Sequence, residues 1–195
     1  MLISIRERGL KNNMSTRLIL HGGFNPENSQ EESLDFYEEI LKSAPENPKI
    51  LLVPFAKDED RIASAVEKVS NRFKKLQENV EISVANEKDF MNQIQLVDVV
   101  YFHGGASLKL LKALKKYPNL KQSLEGKLIT GESAGANVWS TFFYSPKVDV
   151  VSEGLGFLPI KICPHYKEEY AGKLDDVGKD LESVLLREYE FRVFP

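Results

Sequence analysis

Cysteine is almost missing from this sequence of 195 residues, in which Cys163 is the single example. One cysteine excludes a disulfide bond within the chain, and scarce cysteine is typical of proteins in a reducing compartment. No apolar run reaches the roughly 18 residues that a membrane-spanning helix needs. We therefore expect a cytoplasmic protein without a membrane span.

The sequence has no large excess of either charge, because the acidic and basic residues nearly balance and leave a formal net charge of −3. Nucleic-acid-binding proteins usually carry a basic patch. The lysine pairs at 74–75 and 115–116 are better explained as solvated helix faces, so nucleic acid is not an expected partner. The hydrophobic fraction of 42% is ordinary for a globular chain of one domain.

Histidine occurs only three times, at positions 21, 103 and 165. These residues have neither the close spacing nor the accompanying cysteine cluster of a typical metal site. The sequence therefore indicates no bound metal and no cofactor.

Short apolar runs alternate with stretches of helical periodicity along most of the chain. The apolar runs predict strands over 17–23, 49–55, 80–84, 97–105 and 127–133. Apolar residues at steps of three or four predict helices between them, as over 58–77. Candidate helix caps are Ser29, with Glu32 three residues on, and Ser107. This alternation predicts an α/β fold, with a doubly wound, mainly parallel sheet and helices on both faces.

Three of the predicted strands end in glycine-bearing turns, which contain Gly22 and Gly23, Gly104 and Gly105, and Gly131. The carboxyl ends of parallel strands share one edge of the sheet, and ligands bind beyond that edge. This rim is therefore the candidate site.

Residues 131–135 read GESAG and match GxSxG, the nucleophile elbow. The strand run before it and a predicted helical run over 134–143 supply the strand–turn–helix context that the motif requires. A serine hydroxyl is nearly inert at neutral pH, so it must be exposed and placed against a base. The pattern indicates that Ser133 is a nucleophile, although a helix-capping serine in a glycine-rich turn would also match it.

Each of the three histidines could supply the base. His21 and His103 end predicted strands at the rim, where a histidine is more often structural. His165 follows an apolar run and lies downstream of the serine, which is the chain order of hydrolases with such sheets, and we favour it. Cys163 is an alternative nucleophile, but nothing in the sequence exposes it, which favours a buried small side chain.

The segments FHGGASLKLLKAL, GESAGANV and GLGFLPIKICPHY, in that order and spacing, resemble the peptidase S51 family, which includes dipeptidase E and cyanophycinase. The resemblance covers nearly the whole chain from Arg17. It implies a flavodoxin-like fold related to class I glutamine amidotransferases, with Ser133 as nucleophile and His165 as base. It further implies an oxyanion and substrate site formed by Gly22, Gly23, Gly104, Gly105 and Ala134.

The carboxylate of a catalytic triad is harder to assign. Relatives commonly carry asparagine after the glycine pair, or an acidic residue between the serine and the histidine. Here Ala106 and the run FYSPKVDVVSEG stand in these places, and Asp149 and Glu153 are the nearest acids. Glu132, beside the serine, should point away from it. We choose Asp149 as the group that orients the histidine.

The resemblance implies a serine peptidase that hydrolyses short peptides, such as aspartyl dipeptides. A catalytically impaired relative that binds a small molecule or a peptide is the alternative, favoured by the lack of an evident acid. An α/β-hydrolase esterase shares GxSxG but normally has a longer chain after its serine. We expect residues 1–13 to be a flexible extension and 14–195 to form one domain, without the C-terminal strand pair of relatives, that pairs as a homodimer.

Overall fold

The computed structural model describes residues 16–25 and 34–195. The predicted extension over 1–13 and the predicted capping pair of Ser29 and Glu32 lie outside these residues. The described residues form ten strands and six α-helices, which alternate over the first two thirds of the chain. The strands are β1 (Arg17–His21), β2 (Lys49–Val53), β3 (Glu81–Val84), β4 (Val99–Phe102), β5 (Leu128–Glu132), β6 (Ser140–Ser145), β7 (Val150–Glu153), β8 (Leu158–Pro164), β9 (Glu182–Leu186) and β10 (Phe191–Phe194).

The helices lie mostly between the strands of the first half of the chain. They are α1 (Asp35–Ser43), α2 (Glu59–Leu76), α3 (Phe90–Gln95), α4 (Ser107–Leu114), α5 (Leu120–Ser123) and α6 (Ala134–Asn137). The apolar stripe predicted along 58–77 is the buried face of α2, where Val69 and Phe73 are buried. Among these helices none is long and apolar enough to cross a membrane.

The main sheet has six strands in the order β10-β1-β5-β4-β2-β3. Strands β1 to β5 run parallel, and β10 joins the edge antiparallel to β1. The two faces of the sheet have separate hydrophobic cores, because alternate residues of a strand point to opposite faces. Ile19 and Ile50 face α1 and α2, whereas Leu20 and Leu51 face α4 and α6. The doubly wound, mainly parallel α/β fold is confirmed.

A second sheet of four strands, in the order β7-β6-β8-β9, packs on the α6 side of the main sheet. Its strand β6 takes the place of the second part of the helix predicted over 134–143, since α6 ends at Asn137 and β6 begins at Ser140. The backbone carbonyls of Val138 and Trp139 accept hydrogen bonds from Leu155 and Leu158 instead of continuing a helical ladder. The β-branched and aromatic residues that follow favour the pleated strand, so that tertiary pairing overrides the short helical pattern.

Ser107 does not cap α4 as predicted. It lies in the first turn of the helix, and its hydroxyl accepts a hydrogen bond from Asn137 Nδ2 at 3.0 Å. The backbone before the helix is instead held by Ala106, whose N–H donates to the Ala56 carbonyl at 2.9 Å. The pattern of a small polar residue at a helix start is therefore correct in place but not in role.

We predict that Gly135→Ala destabilises the fold by about 1–3 kcal/mol, because overpacking a tight contact costs that much. A Cβ atom on Gly135 would lie 2.0 Å from the Phe102 carbonyl oxygen of β4. Urea unfolding of the wild type and the variant measures the difference. Gly156→Asn is the control, because a Cβ there meets no atom within 4 Å and asparagine tolerates its φ of +67°. Equal losses in the two variants would contradict the proposed clash.

Candidate active site

Ser133 lies in a strained turn between β5 and α6. Its backbone has φ 52° and ψ −107°, a conformation that costs on the order of 1–3 kcal/mol for a residue with a side chain. The turn is held by hydrogen bonds from the Ser133 N–H to the His21 carbonyl and from the Asn137 N–H to the Ser133 carbonyl. A Cβ atom on Gly131 would lie 2.3 Å from the Gly135 carbonyl oxygen, so the turn closes only with glycine there.

His165 reaches the serine from the end of β8. Its Nε2 atom lies 3.0 Å from Ser133 Oγ, within hydrogen-bond distance. The backbone N–H of His165 donates to the Gly22 carbonyl at 2.8 Å, and the imidazole ring lies against Gly23. A Cβ atom on Gly23 would lie 2.3 Å from His165 Nε2. The predicted glycine pair at 22–23 thus leaves room for the imidazole, and the two residues of the predicted serine and histidine pair are in contact.

Glu188 lies behind the histidine. Its Oε1 atom is 3.3 Å from His165 Nδ1, and both side chains are about one-third exposed. The loop that carries Glu188 joins β9 to β10 and is fixed to the β1 end by two backbone hydrogen bonds. The Gly22 N–H donates to the Glu190 carbonyl, and the Tyr189 N–H donates to the Gly23 carbonyl. The side chains of Ser133, His165 and Glu188 therefore lie in a row, each within hydrogen-bond distance of the next.

Asp149, chosen from the sequence as the third member, lies elsewhere. It ends a 3₁₀ turn before β7, and its Oδ1 accepts hydrogen bonds from the Tyr144 hydroxyl at 2.8 Å and from Lys173 Nζ at 2.7 Å. Its carboxylate is therefore engaged by two donors, and the residue within reach of His165 Nδ1 is Glu188. Glu153 lies on the exposed strand β7. The sequence did not single out Glu188, because no local motif marks it.

Two backbone segments lie beside Ser133, namely the Gly104–Gly105 turn and the start of α6. The Gly104–Gly105 turn passes directly beside the elbow, where a Cβ atom on Gly104 would lie 3.3 Å from Ser133 Cβ. The Gly104 N–H donates to Glu132 Oε1 at 3.1 Å and is therefore occupied. Within residues 16–25 and 34–195, the N–H groups of Gly105 and Ala134 donate no such bond. The geometry thus leaves Gly105 and Ala134 as the candidate oxyanion donors.

The other two histidines are buried and neutral at pH 7. Burial lowers the pKa of His21 to about 4, and its Nδ1 accepts a hydrogen bond from the Gly23 N–H at 2.9 Å. Burial likewise lowers the pKa of His103 to about 4. Neither ring has a contact to Ser133 like that of His165, which fits the structural interpretation of strand-end histidines.

Cys163 is buried, and burial raises the pKa of its thiol to about 12. A protonated thiol is a poor nucleophile. This agrees with a small buried side chain. In the described part of the chain, no group of three or more His, Cys, Asp or Glu side chains could hold a metal ion.

A cleft of about 860 Å³ opens above the serine. Its described lining contains one carboxylate, Glu132, and five cationic side chains. The cationic residues are Lys57, Arg61, Lys68, Arg72 and Lys147. The cleft is therefore strongly basic, although the chain as a whole carries a net charge of −3.

The basic wall was not predicted from the sequence, although a signal was present. Arg61, Lys68 and Arg72 recur at steps of seven and four, which places them on one face of α2. That face lies away from the apolar stripe on which the helix prediction depended. Helical spacing of like charges does not by itself distinguish a cleft wall from a solvated face, so only the tertiary structure separates the two.

A family model, that of peptidase family S51, matches residues 18–182. No curated protein matches the chain. Solved structures share the fold, among them two that are similar to this chain over most of its length. A candidate peptidase E from Listeria monocytogenes EGD-e is 18% identical, with a TM-score of 0.65 over 92% of this chain and 97% of that one. A peptidase from an acI-B1 actinobacterium is 22% identical, with a TM-score of 0.63 over 93% of this chain and 84% of that one.

The match to the family model spans most of the chain and includes the serine turn, the glycine pair at 104–105 and the histidine. The chain therefore belongs to peptidase family S51.

Proposed function

We propose that this protein is a serine peptidase in which Ser133 is the nucleophile, His165 the general base and Glu188 the orienting carboxylate. The observation that carries the proposal is the 3.0 Å contact between Ser133 Oγ and His165 Nε2, with Glu188 at 3.3 Å from the other ring nitrogen. Family membership supports hydrolysis of a peptide bond. The carboxylate beside His165 argues against the impaired, purely binding relative, because that alternative depended on a missing acid.

In the proposed reaction, Ser133 Oγ attacks the carbonyl carbon of the scissile bond while its proton moves to His165 Nε2. The carbonyl oxygen becomes an oxyanion that accepts hydrogen bonds from the Gly105 and Ala134 N–H groups. Glu188 accepts the Nδ1 proton of His165, which fixes the tautomer and stabilises the imidazolium.

Collapse of the tetrahedral intermediate breaks the carbon–nitrogen bond, and His165 gives its proton to the leaving amine. Water then attacks the acyl group on Ser133, with His165 again accepting a proton, and the carboxylic acid product leaves. The protein's own residues supply every catalytic group in this reaction, and no cofactor takes part in it.

The basic cleft supports a short peptide with a carboxylate side chain as the substrate, of which aspartyl dipeptides are one class. Arg61, Lys68 and Lys147 line the cleft, and among the described residues none of the three forms an ion pair. Cations without an internal partner favour an anionic ligand through charge-assisted hydrogen bonds. Arg72 adds a fixed guanidinium, because it stacks 4.5 Å above the Phe24 ring and donates to the Tyr37 hydroxyl.

Ser133→Ala is expected to abolish labelling of the protein by a fluorophosphonate probe, because the probe forms a covalent bond only with an activated serine hydroxyl. Gel fluorescence after labelling measures the effect, and circular dichroism verifies that both proteins are folded. Folded wild type that is not labelled would contradict the enzyme and favour the binding alternative.

Glu188→Gln is expected to lower the rate of fluorophosphonate labelling by about 10²- to 10³-fold, because a carboxylate that orients the base can contribute up to about 10⁴-fold. Partial exposure of Glu188 makes the smaller effect the expected one. Asp149→Asn is the matched comparison and should stay within about twofold of wild type. A larger loss in Asp149→Asn than in Glu188→Gln would reassign the acid.

The double variant Arg61→Gln/Lys68→Gln is expected to lower kcat/KM for an aspartyl p-nitroanilide about tenfold and to leave an alanyl p-nitroanilide within about twofold. The reason is that the two cations attract a carboxylate but not a methyl group. Lys74→Gln, on an exposed face of α2 outside the cleft, is the control. Equal losses for both substrates would contradict an acidic specificity while leaving the serine mechanism intact.

A further inference from the structure

Glu132 is a buried acid that the proposed reaction does not use. It precedes the nucleophile in the chain, and only 9% of its surface is exposed. Its two carboxylate oxygens have separate partners. Oε1 accepts a hydrogen bond from the Gly104 N–H at 3.1 Å, and Oε2 accepts one from the Tyr101 hydroxyl at 2.8 Å. The residue therefore connects the elbow to the neighbouring glycine turn.

A line of hydroxyl groups supports Glu132 from the interior. The Tyr101 hydroxyl lies 3.3 Å from the Tyr37 hydroxyl, which accepts a hydrogen bond from Arg72 Nη1 at 3.1 Å. Burial raises the pKa of both tyrosines well above the usual value, so the phenols stay protonated and Tyr101 remains a donor. The Glu132 carboxylate is thus held from two directions in one position.

Glu132 is ionised at neutral pH in spite of its burial. Desolvation alone would raise the pKa of this carboxyl, but neighbouring groups outweigh it and hold the pKa below its usual value. Those groups are the His103 ring, the Gly104 N–H, the Lys57 ammonium and the Tyr101 hydroxyl. His103 is neutral above about pH 4, so Lys57 and the hydrogen bonds from Gly104 and Tyr101 are the stabilising contacts of the carboxylate that persist at pH 7.

The Gly105 amide lies between two fixed points. On one side, Glu132 holds the Gly104 N–H; on the other, the Ala106 N–H donates to the Ala56 carbonyl at 2.9 Å. Gly105 has φ +151°, and a Cβ atom there would lie 2.3 Å from the Ala56 carbonyl oxygen. These two hydrogen bonds restrain the turn, since glycine itself imposes little conformational preference.

We propose that Glu132 is a positioning residue whose carboxylate fixes the Gly104–Gly105 turn, so that the Gly105 N–H is directed with the Ala134 N–H at the oxyanion. The inference rests on the proposed function, since an oxyanion forms only if Ser133 is acylated or phosphonylated. A negative charge so close to the oxyanion would by itself oppose the reaction. The role of Glu132 is therefore geometric, and the charge serves to strengthen its hydrogen bond to the turn.

Saturation kinetics with a fluorophosphonate probe test this inference, because the phosphoryl oxygen occupies the oxyanion site in the transition state. We expect Glu132→Ala to lower the maximal inactivation rate constant, kinact, about 100-fold, as for the loss of one oxyanion donor. We expect Glu132→Gln to lower it about tenfold, because one carbonyl oxygen can still accept the Gly104 N–H. The half-saturating probe concentration, KI, should change less than twofold in both.

Lys161→Met is the matched control for loss of a buried charge. Lys161 Nζ donates to the Leu174 and Val177 carbonyls in the second sheet, and the residue is 5% exposed. Its replacement should lower the unfolding temperature and leave kinact within about twofold. If Glu132→Ala proves unfolded by circular dichroism, Glu132→Gln carries the test.

The outcomes separate the inference from the proposed function. Wild type that is not labelled would overturn the function itself. Labelled wild type with unchanged kinact in folded Glu132→Gln and Glu132→Ala would overturn the inference alone, as would a faster kinact in Glu132→Gln, which would show that charge repulsion dominates. Equal changes of kinact and KI would also overturn it, because they indicate general loss of the site.

Discussion

The site depends on close backbone packing at the carboxyl ends of the parallel strands. Three glycine-bearing turns converge there, and the backbone around them leaves no room for side chains: the carbonyl oxygens of Ala56, Gly135 and Phe102 lie 2.0–2.3 Å from where Cβ atoms of Gly105, Gly131 and Gly135 would be. Because these turns approach so closely, the serine turn is held in an unfavourable conformation that the chain would not adopt alone. The strain at Ser133 is thus carried by the packing of the sheet, and exposure of its hydroxyl follows from it.

Local sequence patterns were enough to predict the parts of the site that follow directly from a strand. Continuous apolar runs marked β1, β2, β4 and β5, and the glycines that follow or end them marked the rim. GxSxG and the histidine after β8 were recognisable for the same reason, since each motif is short and follows its strand immediately. The contact between Ser133 and His165 also depends on how the two sheets pack, because β5 and β8 belong to different sheets and His165 is attached to the main sheet through its backbone N–H bond to the Gly22 carbonyl.

Non-local pairing decided what the sequence could not predict. Glu188 reaches the histidine because β10 returns antiparallel to β1 and anchors the preceding loop to Gly22 and Gly23. No spacing rule connects residue 188 to residue 165. Similarly, the segment after α6 becomes β6 because its backbone pairs with distant residues, which moves Asp149 into the neighbourhood of Tyr144 and Lys173. Sequence distance from the serine was a poor guide to the carboxylate.

Strand β10 lies at the edge of the main sheet, and the loop that carries the Glu188 carboxylate is held in place by this strand. Strand β10 pairs with one strand, β1, whereas β5 and β8, which precede the serine and the histidine, each pair with two strands. Peripheral strands open more readily than central ones in native-state fluctuations. Brief detachment of this strand would withdraw the carboxylate and leave the nucleophile and its base in place, so that catalytic competence would be lost at a lower free energy than global unfolding.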